Sequence, residues 1–141
     1  GLWVAQRGGR ALWLVPATFV FIMMIGGALG MGGVGIPYVE QGIAASVLVL
    51  GIFIAAAVRL PLAASMVIVG LFAVFHGYAH GSEMPETASG LAYSIGFVLA
   101  TAMLHLCGIG LGLLIQRFAS AKLIRYAGGA IACCGIYLCF A

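Results

Sequence analysis

The chain has 141 residues, 65% of them hydrophobic and only 6% charged, with a formal net charge of +3. Soluble domains carry about 25% charged residues, so this sequence lacks the polar side chains needed to cover a water-exposed surface and reads as a membrane protein. Six basic residues scattered along it make no nucleic-acid surface.

Taken in order, Gly1-Leu2-Trp3-Val4-Ala5-Gln6 is apolar until Arg7 and Arg10, and reads as the last turns of a helix that begins upstream. A membrane-spanning helix needs about 20 mainly apolar residues. Five later stretches qualify: 11–30, 42–58, 62–80, 91–115 and 123–140, the second at the short limit. The expected fold is all-α: a polytopic transmembrane helix bundle of five visible spans plus the tail of a sixth, forming one domain over 1–141.

The connections alternate in charge. Arg7 and Arg10 precede the first span, Arg59 lies in the tight Arg59-Leu60-Pro61 turn, and Arg117, Lys122 and Arg125 precede the last. Glu40 lies in the Gly/Pro-rich connection 31–41, and Glu83 and Glu86 in the connection 81–89. Five alternating spans put every base on one side and every acid on the other. The positive-inside rule makes the basic side cytoplasmic, with the acidic loops and the C-terminus outside, periplasmic in a Gram-negative cell.

Glycines recur four apart, as Gly26 with Gly30, Gly77 with Gly81 and Gly108 with Gly112. This spacing lets helix backbones approach closely in lipid. Cys107, Cys133, Cys134 and Cys139 lie in apolar runs without Cys-x-x-Cys spacing and read as packing or lipid-facing residues. Trp3, Trp13, Tyr38 and Tyr126 fall near the expected interfaces, where amphipathic aromatics anchor helices.

Against this apolar background one stretch stands apart: His76-Gly77-Tyr78-Ala79-His80-Gly81-Ser82-Glu83-Met84-Pro85-Glu86. His76 and His80 are one helical turn apart and share a face. Glu83 reaches the same face if the helix continues to Pro85. Two imidazoles and a carboxylate at this spacing form a half-site for a divalent transition metal; the alternative is a half-solvated helix end. His105 lies near the middle of the fourth span, where an ionisable group is costly and is usually functional. It is read either as a further ligand or as an interhelical hydrogen-bonding group, with Thr101, Ser94 or a backbone carbonyl as partner. At about 1.5 Å per residue, His105 lies roughly 20 Å below the outer start of its span and His76 only about 6–9 Å below the end of its own. That spacing favours two stations on one path, an outer His76/His80/Glu83 and an inner His105, over one compact site.

The run His76–Pro85, the segment Gly96-Phe97-Val98-Leu99-Ala100-Thr101 leading to Leu104-His105, and the opening Gly1-Leu2-Trp3-Val4-Ala5-Gln6 together resemble the HupE/UreJ family of small bacterial membrane proteins. The resemblance spans essentially the whole chain, and the His-Gly-x-Ala-His-Gly-x-Glu block is its most specific part. It implies a transporter or facilitator of Ni²⁺, or of Co²⁺, in the bacterial inner membrane, supplying a nickel enzyme such as a hydrogenase or urease. By motif matching, His76, His80 and Glu83 become metal-handling positions and His105 a further one. The family's additional His/Asp/His-type motif falls just upstream of the Gly-Leu-Trp stretch, before the first residue of this sequence. The metal is cargo on this reading, and no permanently bound cofactor is expected.

Histidine ligation also implies uptake that weakens in acid, because a protonated imidazole cannot bind metal. A second reading is a non-transporting subunit, packed through its glycine-rich faces into a larger membrane complex or a homo-oligomer. A third, enzymatic reading uses the histidines to hold catalytic Zn²⁺ or haem, but no ordered acid/base arrangement supports it.

Overall fold

The computed structural model describes residues 1–85, 87 and 89–141. Every regular element among them is an α-helix: α1 (Leu2–Arg7), α2 (Ala11–Met31), α3 (Val39–Ala55), α4 (Leu62–Ser82), α5 (Gly90–Phe118) and α6 (Ala121–Phe140). Among the described residues, α2, α4, α5 and α6 are long and apolar enough to cross a membrane, while α3 is a shorter apolar helix of 17 residues. The chain is a polytopic helical bundle. Large apolar side chains such as Phe21, Val67, Leu71, Leu99 and Leu104 point outward, as expected where the solvent is lipid.

Backbone chemistry sets the breaks. Gly8 and Gly9 take positive φ between α1 and α2. At the end of α2, Gly33 has φ 70°; its N–H bonds to the Gly30 carbonyl while that of Val34 bonds to Leu29. This pattern satisfies the last carbonyls of the helix and needs a left-handed residue, normally glycine. The end of α3 repeats it, with Ala57→Ile54 and Val58→Phe53 bonds, but the left-handed residue is Ala57, at φ 51°. Ser89 and Ser120 cap α5 and α6.

Close contacts reveal the directions of the helices. Gly26 packs on Val74 and Gly30 on Tyr78 and Gly81, so α2 and α4 run parallel, as two spans separated by one intervening span must. Gly51 packs on Ala132, Gly128 on Ala55, and Gly135 on Leu48, so α3 and α6 are antiparallel. Gly1 packs on Gly108 and Ala5 on Gly112, and the Ala5 carbonyl accepts from Gln116 Nε2 at 3.0 Å. α1 and α5 are therefore parallel. At each of these seams a glycine meets the facing helix's backbone or small side chains, the close-approach geometry expected of helix pairs in lipid.

The apolar core gathers at one end, around Trp3, Val15, Ile54, Val69, Ile109 and Ile124. The polar ties of the same end hold its loops. Arg7 Nη1 donates to Ser65 Oγ at 2.6 Å, Gln6 Nε2 to the Ile54 carbonyl at 3.0 Å, and Arg125 Nε to the Ala55 carbonyl at 2.7 Å. A cation on a last-turn carbonyl complements the negative end of the α3 dipole. Glu40, in the first turn of α3, and Glu83, capping α4, stand at the opposite end; Glu86 lies outside the described residues. Trp3 is not the interface anchor expected of it. It is 4% exposed, its Nε1 donates to the Val58 carbonyl at 2.9 Å, and its ring packs 5.1 Å from that of Phe53. Its polar tip finds a partner inside the fold and has no need of the interface.

Candidate functional site

The site is built on the α2–α4 seam. Successive helical residues differ by about 100° around the axis, so each His-Gly pair of α4 divides two tasks. Gly77 presses against the Met23 carbonyl and Gly81 against the Gly27 carbonyl of α2. His76 and His80, one step around, are turned toward rings of α2 and α5. Their ring centroids lie 5.1 Å apart in an edge-on arrangement, close enough for one nitrogen of each to reach a common ion at the ~2 Å bonds imidazole makes.

Aromatic rings wall this pair. Phe97 of α5 lies 4.3 Å from His80 and 6.1 Å from His76, and Tyr93 stacks beside it at 6.5 Å. Tyr93 Oη also donates to the His80 carbonyl at 3.1 Å, fastening the C-terminal end of α4 to the N-terminal end of α5. Phe19 of α2 lies 5.6 Å from His76 and 5.0 Å from His105. The rings thus follow one another as His80, His76, Phe19 and His105, from the acidic end of the bundle toward its core. All three histidines are half-buried.

His105 is oriented within its own helix. Its Nδ1 lies 2.9 Å from the Thr101 carbonyl. A carbonyl only accepts, so Nδ1 carries the proton and, in the neutral ring, Nε2 keeps its lone pair. That is the arrangement by which a backbone carbonyl fixes the tautomer of a metal-binding histidine. Thr101 therefore engages His105, but through its backbone. Ser94 instead donates to the Gly90 carbonyl at 2.7 Å.

Glu83 does not join the histidines. It is exposed at the C-cap of α4, and among the described residues no three His, Cys, Asp or Glu side chains converge closely enough to hold a metal ion. Glu83 is the C-cap of α4, its N–H still bonded to the Ala79 carbonyl at 3.1 Å, and its side chain stands exposed at the helix end while the histidines are half-buried. Tyr78 also serves elsewhere, its Oη accepting from the Ile36 N–H at 3.4 Å and so holding the α2–α3 connection. The four cysteines are free and exposed. Sequence reasoning missed Phe19, Tyr93 and Phe97. Each sits in an apolar run, where an aromatic carries no signal of its own, although Phe97 belongs to the segment that led to His105.

Two cavities flank the ring series. One of about 230 Å³ lies between α2, α4 and α5 and is lined by Met23, Gly27, Gly77, Gly81, Tyr93 and Phe97 among others. The other, about 110 Å³, lies on the core side and is lined by Val15, Phe19, Leu50, Ile54, Val69 and His105 among others.

The family described as HupE / UreJ protein matches residues 1–138. The chain belongs to the HupE/UreJ family. Its members are in general nickel- and cobalt-transport-related accessory proteins rather than enzymes. Protein HupE of Rhizobium leguminosarum bv. viciae is 42% identical over 138 residues, covering 98% of this chain and 72% of that protein. No solved structure matches. The His76–Pro85 block that carried the resemblance is the segment that places two imidazoles on one face of α4 and two glycines on the next.

Proposed function

We propose that this HupE/UreJ protein carries Ni²⁺, or Co²⁺, through the bacterial inner membrane from the acidic periplasmic end to the basic cytoplasmic end, where a nickel enzyme such as a hydrogenase receives it. The observation that carries the reading is the order of imidazoles along the bundle: His80 and His76 side by side, then His105 with its Nε2 left free. Imidazole suits Ni²⁺, and selectivity over Zn²⁺ or Cu²⁺ rests on geometry rather than raw affinity. A pair followed by a single ligand binds loosely, as a permeation path requires, with water filling the ion's other positions. Glu83, at the mouth of α4, attracts the cation without entering its coordination.

The test is nickel accumulation in nickel-limited cells making the full-length protein, comparing wild type with His76→Ala, His80→Ala and His105→Ala at matched membrane levels. Loss of uptake in these variants supports the reading. Unchanged uptake in all three removes the histidines from any path and favours a non-transporting subunit of a larger membrane complex.

A further inference from the structure

The ring series is interrupted by a side chain that cannot bind metal. Phe19 lies against both imidazoles, its ring centroid 5.6 Å from that of His76 and 5.0 Å from that of His105, and it also lines the cavity of about 110 Å³ that His105 faces, with Val15, Leu50, Ile54 and Val69 among the other walls. A phenyl ring set against both imidazoles offers neither a ligand to an ion nor a hydrogen bond to water. Apolar constrictions of this kind close pores by excluding water, because a desolvated ion without ligands is very costly.

The helix that carries Phe19 has a weak point just before it. Pro16 lies inside α2, three residues earlier. Proline has no N–H, so the Leu12 carbonyl loses its normal helical partner and α2 gains a place to bend. The ring and the bend point lie within one turn of each other.

We infer that Phe19 is the gate of the path: in this conformation its ring seals the His80–His76 pair from His105 and the cavity below, and movement of α2 at Pro16 withdraws it to let the ion step across. The inference rests on the proposed transport reading for its cargo, but the seal itself is independent of the metal.

The experiment exploits that independence. Full-length wild type, Phe19→Ala and Phe19→Leu are reconstituted into liposomes free of transition metal, and proton influx under an imposed potential is followed with an internal pH dye. Removing the ring lets water connect the imidazoles, so Phe19→Ala leaks protons on the order of tenfold faster than wild type, and Phe19→Leu leaks to a lesser degree. If Phe19→Ala does not reconstitute as a folded protein, Phe19→Leu decides. A leak in the variants while wild type takes up no nickel upholds the gate and refutes the cargo. Variants as tight as wild type overturn the gate, whatever the cargo.

Discussion

Gly77→Ala tests whether the α2–α4 seam sets the position of the histidines. A Cβ built at Gly77 collides with the Met23 carbonyl oxygen and lies 2.8 Å from the Met23 carbonyl carbon and 2.9 Å from the Gly27 nitrogen. All three are backbone atoms, so no rotamer change relieves the clash and the two helices must separate. Overpacking of this kind costs about 1–3 kcal/mol. Replacing a helical glycine by alanine returns up to about 1 kcal/mol through helix propensity, which leaves a net loss of up to roughly 2 kcal/mol. Gly96→Ala in α5 is the control, because nothing lies within 4 Å of a Cβ there; it keeps the propensity gain with no clash. Unfolding of the purified variants in mixed micelles, titrated with a denaturing detergent and followed by circular dichroism, should rank Gly96→Ala at or above wild type and Gly77→Ala below it. Nickel uptake per folded molecule should also fall in Gly77→Ala, because His76 moves with the backbone beside it. A Gly77→Ala protein as stable as Gly96→Ala would refute the close seam and the account of the motif built on it.

Further predictions follow from single sites. Ala57 holds a left-handed conformation that costs a side-chain-bearing residue about 1–2 kcal/mol, against the roughly 0.5–1 kcal/mol of extra entropy that glycine loses on ordering; Ala57→Gly should therefore stabilise the protein by up to about 1.5 kcal/mol in the same titration, and destabilisation would refute the cap assignment. If exposed Glu83 acts only by attraction, Glu83→Gln should raise KM for nickel at low ionic strength, leave kcat unchanged, and match wild type once salt screens the field. A fall in kcat that persists in salt would instead make Glu83 a ligand.

The fold was largely legible because lipid imposes one demand, that long apolar runs satisfy their own backbone as helices. Charge alternation along the chain agrees with the helix directions that the glycine contacts reveal, α2 with α4 parallel and α3 with α6 antiparallel. The site was legible in part. Spacing alone placed His76 and His80 on one face, because a regular helix leaves no alternative. That Glu83 does not join the histidines was not legible, because spacing alone cannot show that a carboxylate at the exposed end of α4 stays outside while the imidazoles turn inward. Trp3 looked like an interface residue because its buried partner, the Val58 carbonyl, lies 55 residues away. The aromatic walls were invisible for a similar reason: what makes Phe19 differ from Phe21 is the helix opposite it, with Phe19 against two imidazoles and Phe21 64% exposed.

The His-Gly-x-x-His-Gly pattern is one device with two outputs, and its economy follows from helix geometry. A histidine pair in a span pays for its polarity only if it faces the bundle interior, and the residues one step around must then form a helix seam. Glycine at 77 and 81 lets that seam close onto the α2 backbone, which brings Phe19 of the same helix against His76. A larger residue at either glycine would hold α2 away and open a gap beside the imidazoles. On the proposed reading, the glycines thus decide how tightly the path is sealed, while the histidines decide what moves along it. The two roles are separable by experiment: His76→Ala should abolish uptake with little change in stability, whereas Gly77→Ala should lower both.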